Sequence, residues 1–177
     1  DAGYFYMYPT SDELGGAGYL AYKSKDMVTW TRVGVALKPQ AVYDEQTGYT
    51  TISFAFQNYW APEVIYDSET KLYYMFYTAN QYDPEFKTAH WFFGDIAISQ
   101  SPAGPFVPYN QYYGKEPVVV DEEKKLLMYE PILDFSKTPP KIPTFSWPLL
   151  SKCSIAIYAA LVSSVQTLDR LSNSSVW

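Results

Sequence analysis

From the N-terminus to Asp134 the chain runs as short, aromatic-rich apolar segments broken by clusters of Gly, Pro, Ser, Asp and Lys. That pattern predicts half-buried strands bounded by turns. The segments lie at Tyr4–Tyr8, Gly18–Ser24, Thr31–Leu37, Glu63–Tyr66, Leu72–Thr78, Gly94–Ser99, Val118–Val120 and Leu126–Tyr129. The first three read as a meander turning at Ser11 to Gly18. The last two straddle Asp121-Glu122-Glu123-Lys124-Lys125, which suits a hairpin between larger units. Between Lys38 and Asn58 polarity is mixed around Gly48 with no sustained period, so this segment is either a long loop or an extra hairpin leading into Trp60.

Two stretches repeat. Phe5-Tyr6-Met7-Tyr8-Pro9-Thr10 returns as Tyr73-Tyr74-Met75-Phe76-Tyr77-Thr78, and Gly18 to Ser24 returns as Gly94 to Gln100. Each second element runs into a turn that closes on an aromatic: Lys25 to Trp30 in one copy, Ser101 to Phe106 in the other. Repeated aromatic antiparallel strands predict propeller blades, and a period of roughly 70 residues, against the usual 40 to 50, predicts blades with long inserted loops. Such loops are where sites are built.

After Asp134 the pattern breaks. Thr138-Pro139-Pro140-Lys141-Ile142-Pro143 cannot be a central strand, and a Ser-rich close follows. Ser154 to Leu171 is apolar enough for a short helix but too short and interrupted to span a membrane. Residues 1–134 are therefore read as a partial propeller domain and 135–177 as an atypical C-terminal tail, either native or the truncated or mistranslated end of a longer propeller.

Apolar residues make up 47% of the chain and aromatics 19%, which excludes disorder. The net charge of −6 argues against nucleic acid or an anionic membrane as partner, since either requires a basic face. A neutral polymer fits better. Cys153 is the single cysteine, so no internal disulfide can form.

Four motifs then stand in order: Tyr22-Lys23-Ser24-Lys25-Asp26-Met27-Val28-Thr29-Trp30, Trp60-Ala61-Pro62-Glu63-Val64, Tyr73 to Thr78, and Ile96-Ala97-Ile98-Ser99 with Ser101 to Phe106. Together they resemble glycoside hydrolase family 43. The resemblance implies an all-β fold, about two blades of a five-bladed β-propeller with a non-propeller tail. It also implies inverting hydrolysis of arabinose- or xylose-containing plant polysaccharides, with carbohydrate as the partner and an extracellular or periplasmic location.

Inversion needs two carboxyls roughly 6.5–9.5 Å apart, one protonated to give its proton to the leaving oxygen and one ionised to activate water. The family adds a third acid that tunes the first. The resemblance puts the base, an Asp-Pro aspartate, ahead of Asp1, and no Glu after Glu130 offers a general acid. Glu130-Pro131-Ile132-Leu133-Asp134-Phe135 resembles the element that opens the third blade, with Phe135 in place of Pro, which makes Asp134 the candidate pKa tuner or else an ordinary turn aspartate. The chain on its own is expected to be inactive.

Glu63 either hydrogen-bonds sugar at the central funnel or ties a blade entrance to backbone amides. Trp60 is either a stacking platform for a sugar ring or a blade-packing tryptophan. Trp30 and Phe106 read as packing residues, His90 as a structural histidine among aromatics, and Cys153 as a small apolar residue. No metal and no cofactor is expected. The functional classes left open are a glycosidase fragment, a non-catalytic carbohydrate-binding propeller module, and a structural β-domain with no sugar partner.

Overall fold

Among the described residues, short apolar runs between turn residues give eleven strands and one helical turn: β1 (Phe5–Met7), β2 (Tyr19–Ser24), β3 (Thr31–Leu37), β4 (Ala41–Tyr43), β5 (Thr50–Ser53), β6 (Ala55–Asp67), β7 (Leu72–Gln81), β8 (Phe92–Ser99), β9 (Val107–Pro108), α1 (Tyr109–Tyr112), β10 (Val118–Asp121) and β11 (Leu126–Tyr129). The computed structural model describes residues 3–10, 18–53, 55–81 and 92–132. The chain divides into two units, Asp1–Ile142 and Pro143–Trp177, and every described residue lies in the first. Asp134, His90, Cys153 and the tail lie outside the described residues.

β1-β2-β3 form one antiparallel meander and β6-β7-β8-β9 another. β1 and β7 are each followed by a hairpin partner and then by the next strand, but β1 is the edge of its sheet whereas β7 lies between β6 and β8. The repeat itself is displaced by one residue from the sequence reading. Phe5 pairs with Ser24 and Tyr73 with Ser99, so Ser24 corresponds to Ser99 rather than to Gln100. The physical reason is the turn that each serine holds. The buried Ser24 Oγ accepts from the Asp26 amide at 3.2 Å, and the buried Ser99 Oγ accepts from the Ser101 amide at 3.1 Å.

The two meanders pack through one core. Tyr19, Ala21, Ala36 and Leu37 of the first meet Tyr59, Met75, Tyr77, Ala97 and Phe106, with Met128 joining them. The Tyr19 ring stands edge-on to Tyr59 and Tyr77, with centroids 5.2 and 5.8 Å apart, a favoured aromatic geometry. Polar ties cross the same boundary: Tyr8 Oη donates to the Pro102 carbonyl, and the Phe106 amide donates to the Ala36 carbonyl at 2.6 Å. Gly18, at φ 77°, enters β2 so close to β3 that a Cβ would lie 1.9 Å from the Leu37 oxygen. Only glycine fits there.

The segment from Lys38 to Asn58 resolves into a hairpin, β4–β5, followed by the start of β6. β5 then runs parallel to β11, so β10 and β11 form a four-stranded sheet with β4 and β5. β10 and β11 pair antiparallel as the hairpin expected from the sequence, and the pairing with β5 adds a partner that the sequence did not announce. Nothing local announces the partnership, because β5 and β11 are distant in sequence. The Thr50 amide donates to the Lys125 carbonyl at 2.9 Å, and Tyr49 Oη donates to Glu122 at 2.7 Å.

Candidate functional site

β6 runs from Ala55 to Asp67, far longer than the Glu63–Tyr66 segment its pattern predicts. Bulges hide the rest. Trp60 pairs with Thr78 and Glu63 with Phe76, so Ala61 and Pro62 together face the single residue Tyr77. An extra residue on one strand reverses the phase of alternation beyond it. Pro62 has no amide to give a ladder and suits such a position, and Ala61 takes φ 44°.

The bulge decides which side chains share a face. Trp60 and Glu63 are an odd number apart and would point to opposite faces of a regular strand. Their partners Thr78 and Phe76 are two apart on β7, which puts Trp60 and Glu63 on the same face. Trp60 is 41% exposed, and Glu63 is half-buried with its Oε2 shut off from solvent. Phe106 is buried at the boundary between the two meanders, and the half-buried Trp30 donates from Nε1 to the Met27 carbonyl at 3.2 Å within its own turn.

Trp60 also carries a peptide held from outside its own sheet. Its carbonyl accepts from Tyr19 Oη at 2.9 Å, and the amide of the same peptide, that of Ala61, donates to Thr10 Oγ1 at 3.3 Å.

Asp95, which the sequence reading passed over within a repeat, is a carboxyl buried in β8. It accepts from Tyr77 Oη at 3.2 Å and from the Ile132 amide at 3.3 Å. Burial pushes its pKa up to about 7, against the pull of the Ile96 and Ile132 amides and the Tyr77 hydroxyl. It pairs with Tyr77, one residue out of phase with Phe76, so it lies on the face opposite Glu63. An acid inside an otherwise apolar strand was the available signal. Asp95 belongs to the core and not to the Trp60 face.

Asp26 shows the reverse shift. Its carboxylate accepts from the Thr29 and Val28 amides and from Ser24 Oγ, which lowers its pKa to about 2. These bonds explain why a Ser-x-Asp sequence ends the strand. Among the described residues no group of three or more His, Cys, Asp or Glu side chains is placed to hold a metal ion.

Comparison with curated proteins gives no match. Among solved structures, the chain is similar to a thermostable family-43 glycoside hydrolase at 28% identity, covering 61% of this chain and 29% of that one, with a TM-score of 0.42. An exo-β-1,3-galactanase from Phanerochaete chrysosporium shows 20% identity over 62% of this chain and 23% of its own, with a TM-score of 0.44. A GH43_1 enzyme from Xanthomonas citri shows 21% identity over 61% of this chain and 29% of its own, with a TM-score of 0.43. The chain thus spans under a third of the length of these three structures. The family model for glycosyl hydrolases family 43 matches residues 1–123, a span that takes in both meanders, the bulge in β6 and the Ser-x-Asp turn. A match of that extent, on two antiparallel meanders in series, makes this chain part of a five-bladed β-propeller and a member of glycosyl hydrolases family 43.

Proposed function

We propose that this chain is the sugar-receiving portion of an inverting glycoside hydrolase whose whole form cleaves O-glycosidic bonds in arabinose- or xylose-containing plant polysaccharides. The observation that carries the reading is the β6 bulge, which turns Trp60 and Glu63 to one face. A tryptophan face covers the C–H face of a sugar ring with little ordering loss, and a carboxylate beside it accepts sugar hydroxyls. A polymer substrate of this kind is met outside the cell or in the periplasm.

Asp134 is the candidate for the pKa tuner. The tuner acts on the acid's proton and not on subsite contacts, so its loss depresses kcat far more than binding.

The test compares this chain with the longer protein carrying the remaining blades, on arabinan, arabinoxylan, aryl pentosides and β-1,3-galactan. Either catalytic carboxyl is commonly worth about 10²- to 10⁴-fold, so the chain alone releases no sugar above a buffer control while the longer protein releases pentose. In the longer protein Trp60→Ala raises KM and Asp134→Asn lowers kcat. Turnover by the isolated chain overturns the fragment reading. Release of galactose in place of pentose overturns the substrate class, and sugar binding by the longer protein without turnover favours a binding module.

A further inference from the structure

The Trp60–Ala61 peptide sits in the bulge, where an inserted residue is left without a regular ladder partner, yet a polar peptide group needs one. Both of its ends find side chains of the first meander and its loop, far away in sequence. Tyr19 Oη has a single proton to donate and lies 2.9 Å from the Trp60 carbonyl and 3.3 Å from the Thr78 carbonyl, so the shorter contact to Trp60 takes most of it. Trp60 and Thr78 are themselves the register pair at the edge of the bulge. On the other side of the peptide, Thr10 Oγ1 accepts from Ala61 at 3.3 Å.

Tyr19 is built to hold its hydroxyl still. It is fully buried, and its ring is wedged edge-on between Tyr59 and Tyr77. Burial also raises its pKa well above the ordinary tyrosine value, so the donor keeps its proton through the whole neutral range. The orientation of a peptide plane sets the direction of the side chain just before it, here Trp60, and the bulge sets the phase of Glu63.

We propose that Tyr19 and Thr10 are positioning residues: the first meander grips the Trp60–Ala61 peptide at its carbonyl and its amide and thereby orients Trp60 and Glu63. That this orientation serves sugar binding rests on the function proposed above; the grip itself does not.

Two measurements on the 177-residue chain separate these statements. The first is amide hydrogen exchange at Ala61 by NMR, with Met75 and Ala97 as core references. Tyr19→Phe keeps the wedged ring and removes only the hydroxyl, and Thr10→Val removes an exposed hydroxyl at nearly constant shape. Each is expected to speed Ala61 exchange about five- to tenfold while the core amides stay as they were, the size expected of one lost hydrogen bond. Thr10→Ser, which keeps the acceptor, is expected to restore the slow rate. Unchanged Ala61 exchange in both Tyr19→Phe and Thr10→Val overturns the proposal, as does equal acceleration of the core amides in both.

The second measurement is calorimetric titration with arabino- and xylo-oligosaccharides, repeated with β-1,3-galactobiose, a readout that does not depend on the Trp60 ring. Tyr19→Phe is expected to weaken the sugar that binds about three- to tenfold. If Trp60→Ala leaves every sugar affinity unchanged while Ala61 still loosens in the first measurement, the grip stands and the sugar reading falls. If Trp60→Ala abolishes binding but Tyr19→Phe and Thr10→Val bind as wild type, the positioning role is overturned.

Discussion

Asp95 should make this protein lose stability as pH rises through the acid-to-neutral range. Its carboxyl is buried in β8, with Tyr77 and the Ile132 amide as partners, and burial raises its folded pKa to about 7 from the ordinary aspartate value of 3.8. A folded-state pKa raised above the unfolded one means that the folded chain holds a proton the unfolded chain releases. The stabilisation is therefore complete below about pH 4 and lost progressively as pH climbs towards 7. About three pKa units at 1.36 kcal/mol each come to about 4 kcal/mol, a large share of the roughly 5–15 kcal/mol by which domains are stable. Asp95→Asn resembles the protonated acid and cannot ionise. Urea unfolding followed by fluorescence at half-unit steps from pH 4.5 to 8 is expected to show the variant close to wild type at the acid end. At the basic end the variant should be more stable by up to about 4 kcal/mol. A difference between the two proteins that stays constant with pH, or a variant less stable at pH 8, would refute the reasoning.

Further outcomes follow from the same structure. Gly18→Ala places a methyl group 1.9 Å from the Leu37 oxygen in a left-handed conformation and should destabilise by more than about 3 kcal/mol, seen as a fall in Tm or an insoluble product. Asp26→Asn should remove a contribution that wild type keeps above about pH 4 and loses as the pH falls towards 2, because the folded pKa of Asp26 is depressed; acid titration by circular dichroism reads this as a less steep acid transition in the variant. Tyr8→Phe removes the hydroxyl bonded to Pro102 and should lower stability by about 1 kcal/mol in urea, leaving the Phe106 packing intact. Lys124→Ala breaks the 3.4 Å ion pair between the exposed Lys124 and the part-buried Asp121 and should leave the urea midpoint unchanged.

Strand identity was legible because it is a local property. The aromatic runs at Phe5–Met7, Leu72–Gln81 and Leu126–Tyr129 carry their preference in their own residues, and the Ser-x-Asp turn is closed by bonds within seven residues, from Ser24 to Trp30. The repeat likewise announced two units of one design. Its exact phase did not follow, because which serine holds the turn depends on pairing across the hairpin. Trp60 and Glu63 were picked out from a motif, but their common face comes from a bulge, which erases the alternation a reader of sequence relies on. Asp95 looked like one more polar residue until packing sealed it. The parallel pairing of β5 with β11 and the reach of Tyr19 to Trp60 join residues tens of positions apart. Contacts of that kind have no local signature: their free energy arises from burial and hydrogen bonding that exist once the sheets have met, and so they belong to the fold and not to any segment of it.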